Sequence, residues 1–269
     1  MTRMLAIADQ RGCTLWDVEN GSPQGLADAA CWPAPIAYSP DGSMLACIGE
    51  AGAIRLSDAN SGKLVVSLPA GLQRSVGLSV SFVSRSLLAV SGGDPTVQLW
   101  DLASKRRKQS RDMGADVYAF AVSGPRNALA SVSWKSHAVS FTDLGKDGVT
   151  LGTPAHELST WAVAFRPDGE MIASADNTIV LWDTHTLDRV GSFKAALEGV
   201  RALAFSPDGK ALASGDYQGK VMLWNVDLQT WQHRACELAN RNLTEDEWRR
   251  YLGDRGAYRT TCPGNAAAH

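Results

Sequence analysis

Apolar and polar positions alternate with a period of two along most of the chain, in short runs broken by turn residues. That is the pattern of half-buried strands rather than helices. The segments "CTLWDVENG", "AIRLSDANSG", "TVQLWDLAS", "AVSFTDLGKDG", "TIVLWDTHT" and "KVMLWNVDL" each end the alternation on an acidic or amide residue, at 17, 58, 101, 143, 183 and 225. These positions lie 40 to 43 residues apart. Upstream of each stands a small-residue run: "MLAIADQRG", "MLACIGEAG", "LLAVSGGDP", "ALASVSWKS", "MIASADN" and "ALASGDYQG". A third series precedes that one: "APIAYSPDGS", "SVSFVSRS", "YAFAVSGPRN", "WAVAFRPDGE" and "RALAFSPDGK". Pro and Gly of the "PDG" turns supply a fixed φ and a positive φ, which close a tight reversal. "KLVVSLPAG", "KRRKQSRDM", "VTLGTPAHE" and "RVGSFKAAL" can add a fourth, outer strand. Four short antiparallel strands in every repeat predict an all-β propeller blade.

The repeats over residues 1–228 resemble the WD40 family. Trp16-Asp17, Trp100-Asp101 and Trp182-Asp183 carry its namesake dipeptide, Trp224-Asn225 nearly does, and Ser57-Asp58 and Thr142-Asp143 depart from it. The resemblance implies a WD40-type β-propeller of six recognisable blade units. The first is incomplete, because its innermost strand would precede Met1. Either the chain is the downstream part of a longer propeller or its tail fills the gap. The family's His–Ser–Asp–Trp hydrogen-bond network falls on His156, Ser174, Asp176 and Trp182 in the fifth unit. The third unit keeps Asp94 and Trp100 without the His, and the sixth also lacks it.

Residues 229–269 read as a short helical C-terminal tail. Thr244-Glu245-Asp246-Glu247 is a capping box, with Arg249-Arg250 placed for the helix dipole. Trp248, Tyr251 and Leu252 make an apolar stripe expected to dock on the propeller, and Gly253 is a plausible C-cap. Ala235, Cys236, Leu238 and Ala239 suggest a second short helix, and "AYRTTC" could lend a strand to the incomplete blade. The run from "ACELANRNLT" to "YRTTCP" resembles the tail of bacterial WD40 signalling proteins, in which the propeller often follows an effector region.

Composition narrows the function. A formal charge of −2 gives no global pull toward nucleic acid or membrane. No apolar run is long enough to span a bilayer, and the start has no signal-peptide core. The 5 cysteines, at 13, 31, 47, 236 and 262, are odd in number and lack a CxxC pair. They are expected to be reduced thiols of a cytoplasmic protein, with Cys236 and Cys262 small buried residues rather than a disulfide or metal pair. No histidine has a ligand partner at metal spacing, and no nucleophile elbow, zinc-protease or phosphate-loop motif occurs. The basic run "KRRKQSR" reads as a protected outer edge strand before it reads as a nucleic-acid contact.

Inner strands begin at Ala34, Leu78, Tyr118, Trp161 and Arg201, near the face with which the family grips partners. Tyr, Trp and Arg dominate interface energetics, so Tyr118, Trp161 and Arg201 form a candidate partner-binding face. The expectation is a non-catalytic interaction scaffold or sensor with protein partners and no cofactor, in a bacterial signalling or defence-type system. Its rivals are an enzyme with a site in the propeller channel and a fragment of a larger multidomain protein.

Overall fold

A computed structural model describes residues 4–262, apart from 10–11, 29–30, 32–34, 73–77, 134, 136, 147–149, 152–155, 157–158, 196–198, 253–257 and 259. Its strands form six antiparallel sheets in chain order. The first holds β1 (Met4–Asp9), β2 (Gly12–Asp17) and β3 (Ser22–Asp28). The second holds β4 (Ala37–Tyr38), β5 (Met44–Ile48), β6 (Ile54–Asp58) and β7 (Leu64–Leu68). The third runs from β8 (Leu78–Ser84) through β9 (Leu87–Gly92) and β10 (Thr96–Asp101) to β11 (Arg106–Asp112). In the fourth are β12 (Ala119–Ser123), β13 (Ala128–Val132), β14 (Val139–Asp143) and β15 (Thr150–Leu151). β16 (Ala162–Phe165), β17 (Met171–Ala175), β18 (Thr178–Asp183) and β19 (Arg189–Lys194) make the fifth. The sixth has β20 (Val200–Phe205), β21 (Ala211–Asp216) and β22 (Val221–Asn225). Helices α1 (Leu228–Ala239) and α2 (Glu245–Leu252) follow. These are the blades of a WD40-type propeller with a helical tail.

The repeat explains the packing. β8 contacts β4 and β12, and β16 contacts β12 and β20, so the first strands of neighbouring blades line up on the inside. The second strands sit between two neighbours, and every residue of β13 and β17 is buried. Their alanines and serines keep both faces thin enough for the adjacent sheets. Leu and Ile side chains fill the junctions: Ile179 and Leu181 of β18 and Leu212 of β21 are fully buried between the fifth and sixth sheets. Each such side chain contributes about 1.5–3 kcal/mol relative to exposure.

The recurring aspartates are turn clamps. Asp17 Oδ1 accepts from the Glu19 and Asn20 amides, and Asp183 Oδ1 from those of His185 and Thr186. Asp58 does the same for Asn60 and Ser61, so the unit lacking the tryptophan keeps the turn. In the first "PDG" turn the Ser39 and Ser43 hydroxyls hold the Asp41 carboxyl well below the usual range. The "KRRKQSR" run forms β11, which pairs with β10 as an exposed outer strand.

Several expectations are corrected. Four cysteines are not free thiols: Cys31 is disulfide-bonded to Cys47 and Cys236 to Cys262, with Cα atoms 5.8 and 5.3 Å apart. Folding brings together residues that no local spacing pairs, and the buried Cys13 belongs to neither disulfide. The tail stripe also behaves differently. Trp248 is buried among the tail's own residues, edge-on to Tyr258 at 5.8 Å, while Tyr251 is 67% exposed. The Cys236–Cys262 bond and Asn242 Oδ1, which accepts from the Cys262 amide at 2.7 Å, fold the last segment back over α2. The described part of "AYRTTC" therefore forms no strand; Tyr258 donates to the Leu243 carbonyl instead. α1 meets the blades through Trp231, which packs on the fifth–sixth junction and donates to the Asn225 carbonyl. The Thr244–Glu247 capping box forms in both directions. Arg241 grips Glu247 with both nitrogens, and this clasp with the Thr244 amide holds the Glu247 carboxyl down at about 2. Gly253 and Ala34 lie outside the described residues.

Candidate functional site

One rim carries a continuous row of aromatic and cationic side chains. Tyr118 and Trp161 each stand just before an inner strand. Their amides donate to the Val132 and Ala175 carbonyls, which extends the pairing to the rim and fixes both residues. Arg201 is placed differently. The β20–β21 register shifts between Val200 and Ala202, so Arg201 sits in a bulge with no cross-strand partner. A bulge re-aims its side chain. Here the Arg201 guanidinium carbon lies 3.8 Å from the Trp161 ring centroid.

The row has four members. The Tyr118 and Trp161 rings meet edge to face, centroids 4.8 Å apart at 80°. Arg201 also lies 5.3 Å from the centroid of Tyr217, which is 71% exposed. Tyr217 stands in the β21–β22 turn, whose shape is set by Asp216 Oδ1 accepting from the Gln218 and Lys220 amides. The sequence reading missed Tyr217; the available signal was an aromatic in the turn "DYQG", where packing does not call for one. Leu78, at the matching position of the third sheet, packs into the second–third junction and does not join the row. An edge-to-face pair contributes about 0.5–1.5 kcal/mol, and an exposed cation–π contact about 0.5–1 kcal/mol. The row is thus ordered before any partner arrives.

The buried polar cluster of the fifth sheet lies beneath it. Ser174 Oγ is 2.8 Å from His156 Nε2 and accepts from Trp182 Nε1 at 2.9 Å. His156 Nδ1 is 3.1 Å from Asp176 Oδ1, an approach too oblique for a well-directed hydrogen bond. All four residues are buried. With the indole N–H donating into Ser174, the hydroxyl proton is free for Nε2, which leaves the ring proton on Nδ1, facing Asp176. The Asp176 carbonyl accepts the Val200 amide at 2.7 Å, so this cluster anchors the residue next to Arg201. In the sixth sheet Trp224 Nε1 donates to Ser214 with no histidine, and in the third Trp100 turns to Gln98.

Burial pushes the His156 ring below its ordinary 6.5, and the Asp176 charge opposes that shift without cancelling it. The unfolded chain then binds a proton near pH 6.5 that the folded chain refuses, so stability falls as pH drops below that value. The slope for one proton is at most about 1.4 kcal/mol per pH unit. Urea unfolding from neutral pH down to the range where carboxylates start to protonate should show this loss, and His156→Gln should flatten it. Equal slopes in the two proteins would contradict the assignment.

A cleft of about 650 Å³ lies between the tail helices, lined by Gln232, Cys236, Arg241, Leu243, Trp248 and Cys262. Its one charged lining group is already paired with Glu247. Among the described residues no three His, Cys, Asp or Glu side chains gather as metal ligands. No helix among them is long and apolar enough to cross a membrane.

Comparison with known proteins agrees with the architecture. The repeat family described as WD domain, G-beta repeat, matches residues 148–183 and 187–225, which cover most of the fifth and sixth sheets. The ubiquitin fusion degradation protein 3 homolog of Caenorhabditis elegans is 35% identical over 106 residues. That match takes in 36% of this chain and 12% of the relative, so the chain spans a small part of that protein's length. Residues 148–225 therefore carry WD40 repeats, set within six sheets of one strand design.

Proposed function

We propose that the chain is a non-catalytic protein-interaction scaffold or sensor module, and that its partner docks on the rim row Tyr118, Trp161, Arg201 and Tyr217. The observation that carries this reading is the Arg201 guanidinium held over Trp161 at 3.8 Å on an exposed rim. Arg201 forms no ion pair among the described residues, so its N–H edge is available to a carboxylate while the flanking rings take an apolar neighbour. The partner chemistry that fits is a protein segment with an acidic group beside an apolar or aromatic residue. Stacking spares such a partner part of the ordering cost of the arginine. A bacterial signalling or defence-type setting belongs to this proposal on the resemblance of the tail alone. The reading does not depend on the compartment, and the two disulfides weigh toward an oxidising one.

Trp161→Ala with Arg201→Ala is the direct test, applied to whatever protein the native chain captures and mass spectrometry identifies. Affinity should fall about 30- to 1000-fold, the effect of removing two central anchors. The thermal midpoint should move little, because neither side chain is in a junction core. Unchanged affinity in a folded double variant would remove the rim as the docking face.

A further inference from the structure

We propose that the chain assembles head to tail with a second copy of itself, the sixth sheet of one copy packing on the first sheet of the next. Every interior sheet has two distinct faces. In the fifth, Ala173, Ile179 and Leu181 point toward the sixth sheet, where they meet Val200 and Leu212. Ile172, Val180 and Trp182, on the opposite side, meet Ala130, Val132 and Phe141 of the fourth. A forward face therefore always packs on a rearward face.

Register identifies the same two faces at the ends of the array. Leu223 pairs with Ala213 as Leu181 pairs with Ala173, so Val221 and Leu223 form the sixth sheet's forward face. Leu5 pairs with Trp16 as Ile172 pairs with Trp182, so Leu5, Ile7 and Trp16 form the first sheet's rearward face. Neither is covered. Val221 is 70% and Leu223 77% exposed, and Leu5 and Ile7 are 51% and 43% exposed. Their counterparts Ile179, Leu181 and Ile172 are at 0 to 1%. The two end faces therefore do not cover each other within one molecule.

Small side chains border these residues on both faces. Ala202, Ala204 and Ala213 share the forward face with Leu223, and Thr14 shares the rearward face with Ile7. Apolar sheet faces left in water mark association sites. What fits a forward face throughout this molecule is a rearward face of the same family, and a second copy carries one. The contact is heterologous, so it leaves one face of each kind free and the assembly grows with concentration unless it closes into a ring.

Light scattering on the native chain and on two variants, Leu5→Glu and Leu223→Glu, tests this. The native mass should climb above the monomer as concentration rises. Each variant alone should stay monomeric with a native-like melt, since the positions face solvent in the monomer. Mixed in equal amounts the two variants should pair and stop at a dimer, because each retains the face the other lacks. If a glutamate variant misfolds, Leu5→Gln and Leu223→Gln carry the same comparison. A native chain that is monomeric at all concentrations, whether its faces stay bare or take a blade from another protein, overturns the proposal. So does a variant that assembles as the native chain does, or a mixture that fails to pair.

Discussion

Ser174→Ala is expected to lower the unfolding free energy by about 2–5 kcal/mol, although it removes a single oxygen. The side chain is fully buried, and its Oγ meets the His156 ring at 2.8 Å and the Trp182 indole at 2.9 Å. Alanine leaves almost no cavity, so lost packing contributes little. The cost lies in two ring nitrogens left inside the blade without a partner, each about 1–3 kcal/mol. Threonine would keep the hydroxyl but force a methyl into β17, which is buried along its whole length. Because His156, Ser174 and Trp182 act as a unit, Ser174→Ala combined with His156→Ala should cost less than the two separately. Denaturant unfolding of the three variants measures this. A single-variant loss below about 0.5 kcal/mol would place the cluster among ordinary polar contacts.

Gly52→Ala should be comparably damaging for a different reason. Gly52 has φ +67°, and a Cβ there would lie 1.9 Å from the Leu72 carbonyl oxygen and 2.4 Å from its nitrogen. Those are backbone atoms, tied to Gly52 itself by the Leu72 amide donating to the Gly52 carbonyl at 3.2 Å. The left-handed conformation alone costs about 1–2 kcal/mol. Relief of the clash must move Leu72 off the second–third junction, where its side chain is buried, and withdrawing such a side chain costs about 1.5–3 kcal/mol. The expected total is about 3–5 kcal/mol. Gly42→Ala is the control: φ is +70°, yet nothing lies within 4 Å of the added Cβ. It should lose only about 1 kcal/mol. Equal melting shifts for the two variants would mean that the Leu72 backbone yields more freely than its hydrogen bond implies.

The blades could be read from the chain because their determinants are local. Period-two alternation, an aspartate or asparagine at each turn and a thin Ala/Ser strand all act within one repeat. What could not be read depends on which distant segments meet. Cys31 and Cys47 are 16 residues apart and Cys236 and Cys262 are 26 apart, and neither spacing implies a bond. The stripe is expected on the propeller, but Trp248 meets Tyr258 of the tail and Tyr251 stays exposed, a choice set by how the distant Cys262 segment folds back. The site was legible in part for the same reason. Tyr118, Trp161 and Arg201 share a position relative to their turns, so repeat arithmetic places them on one rim. The bulge that lays Arg201 over Trp161 is a register shift between strands, and Tyr217 reaches the row from a different turn. Neither follows from the repeat.

A photo-crosslinking amino acid introduced at position 217 reports most directly on whether this rim is the working surface. The comparison site is Val65 on β7, an exposed residue of an outer strand. The expected result is a partner crosslink from 217 that disappears when Arg201→Ala is added, with none from 65. A crosslink from 65 alone, or one from 217 indifferent to Arg201→Ala, would contradict the rim row as the docking face.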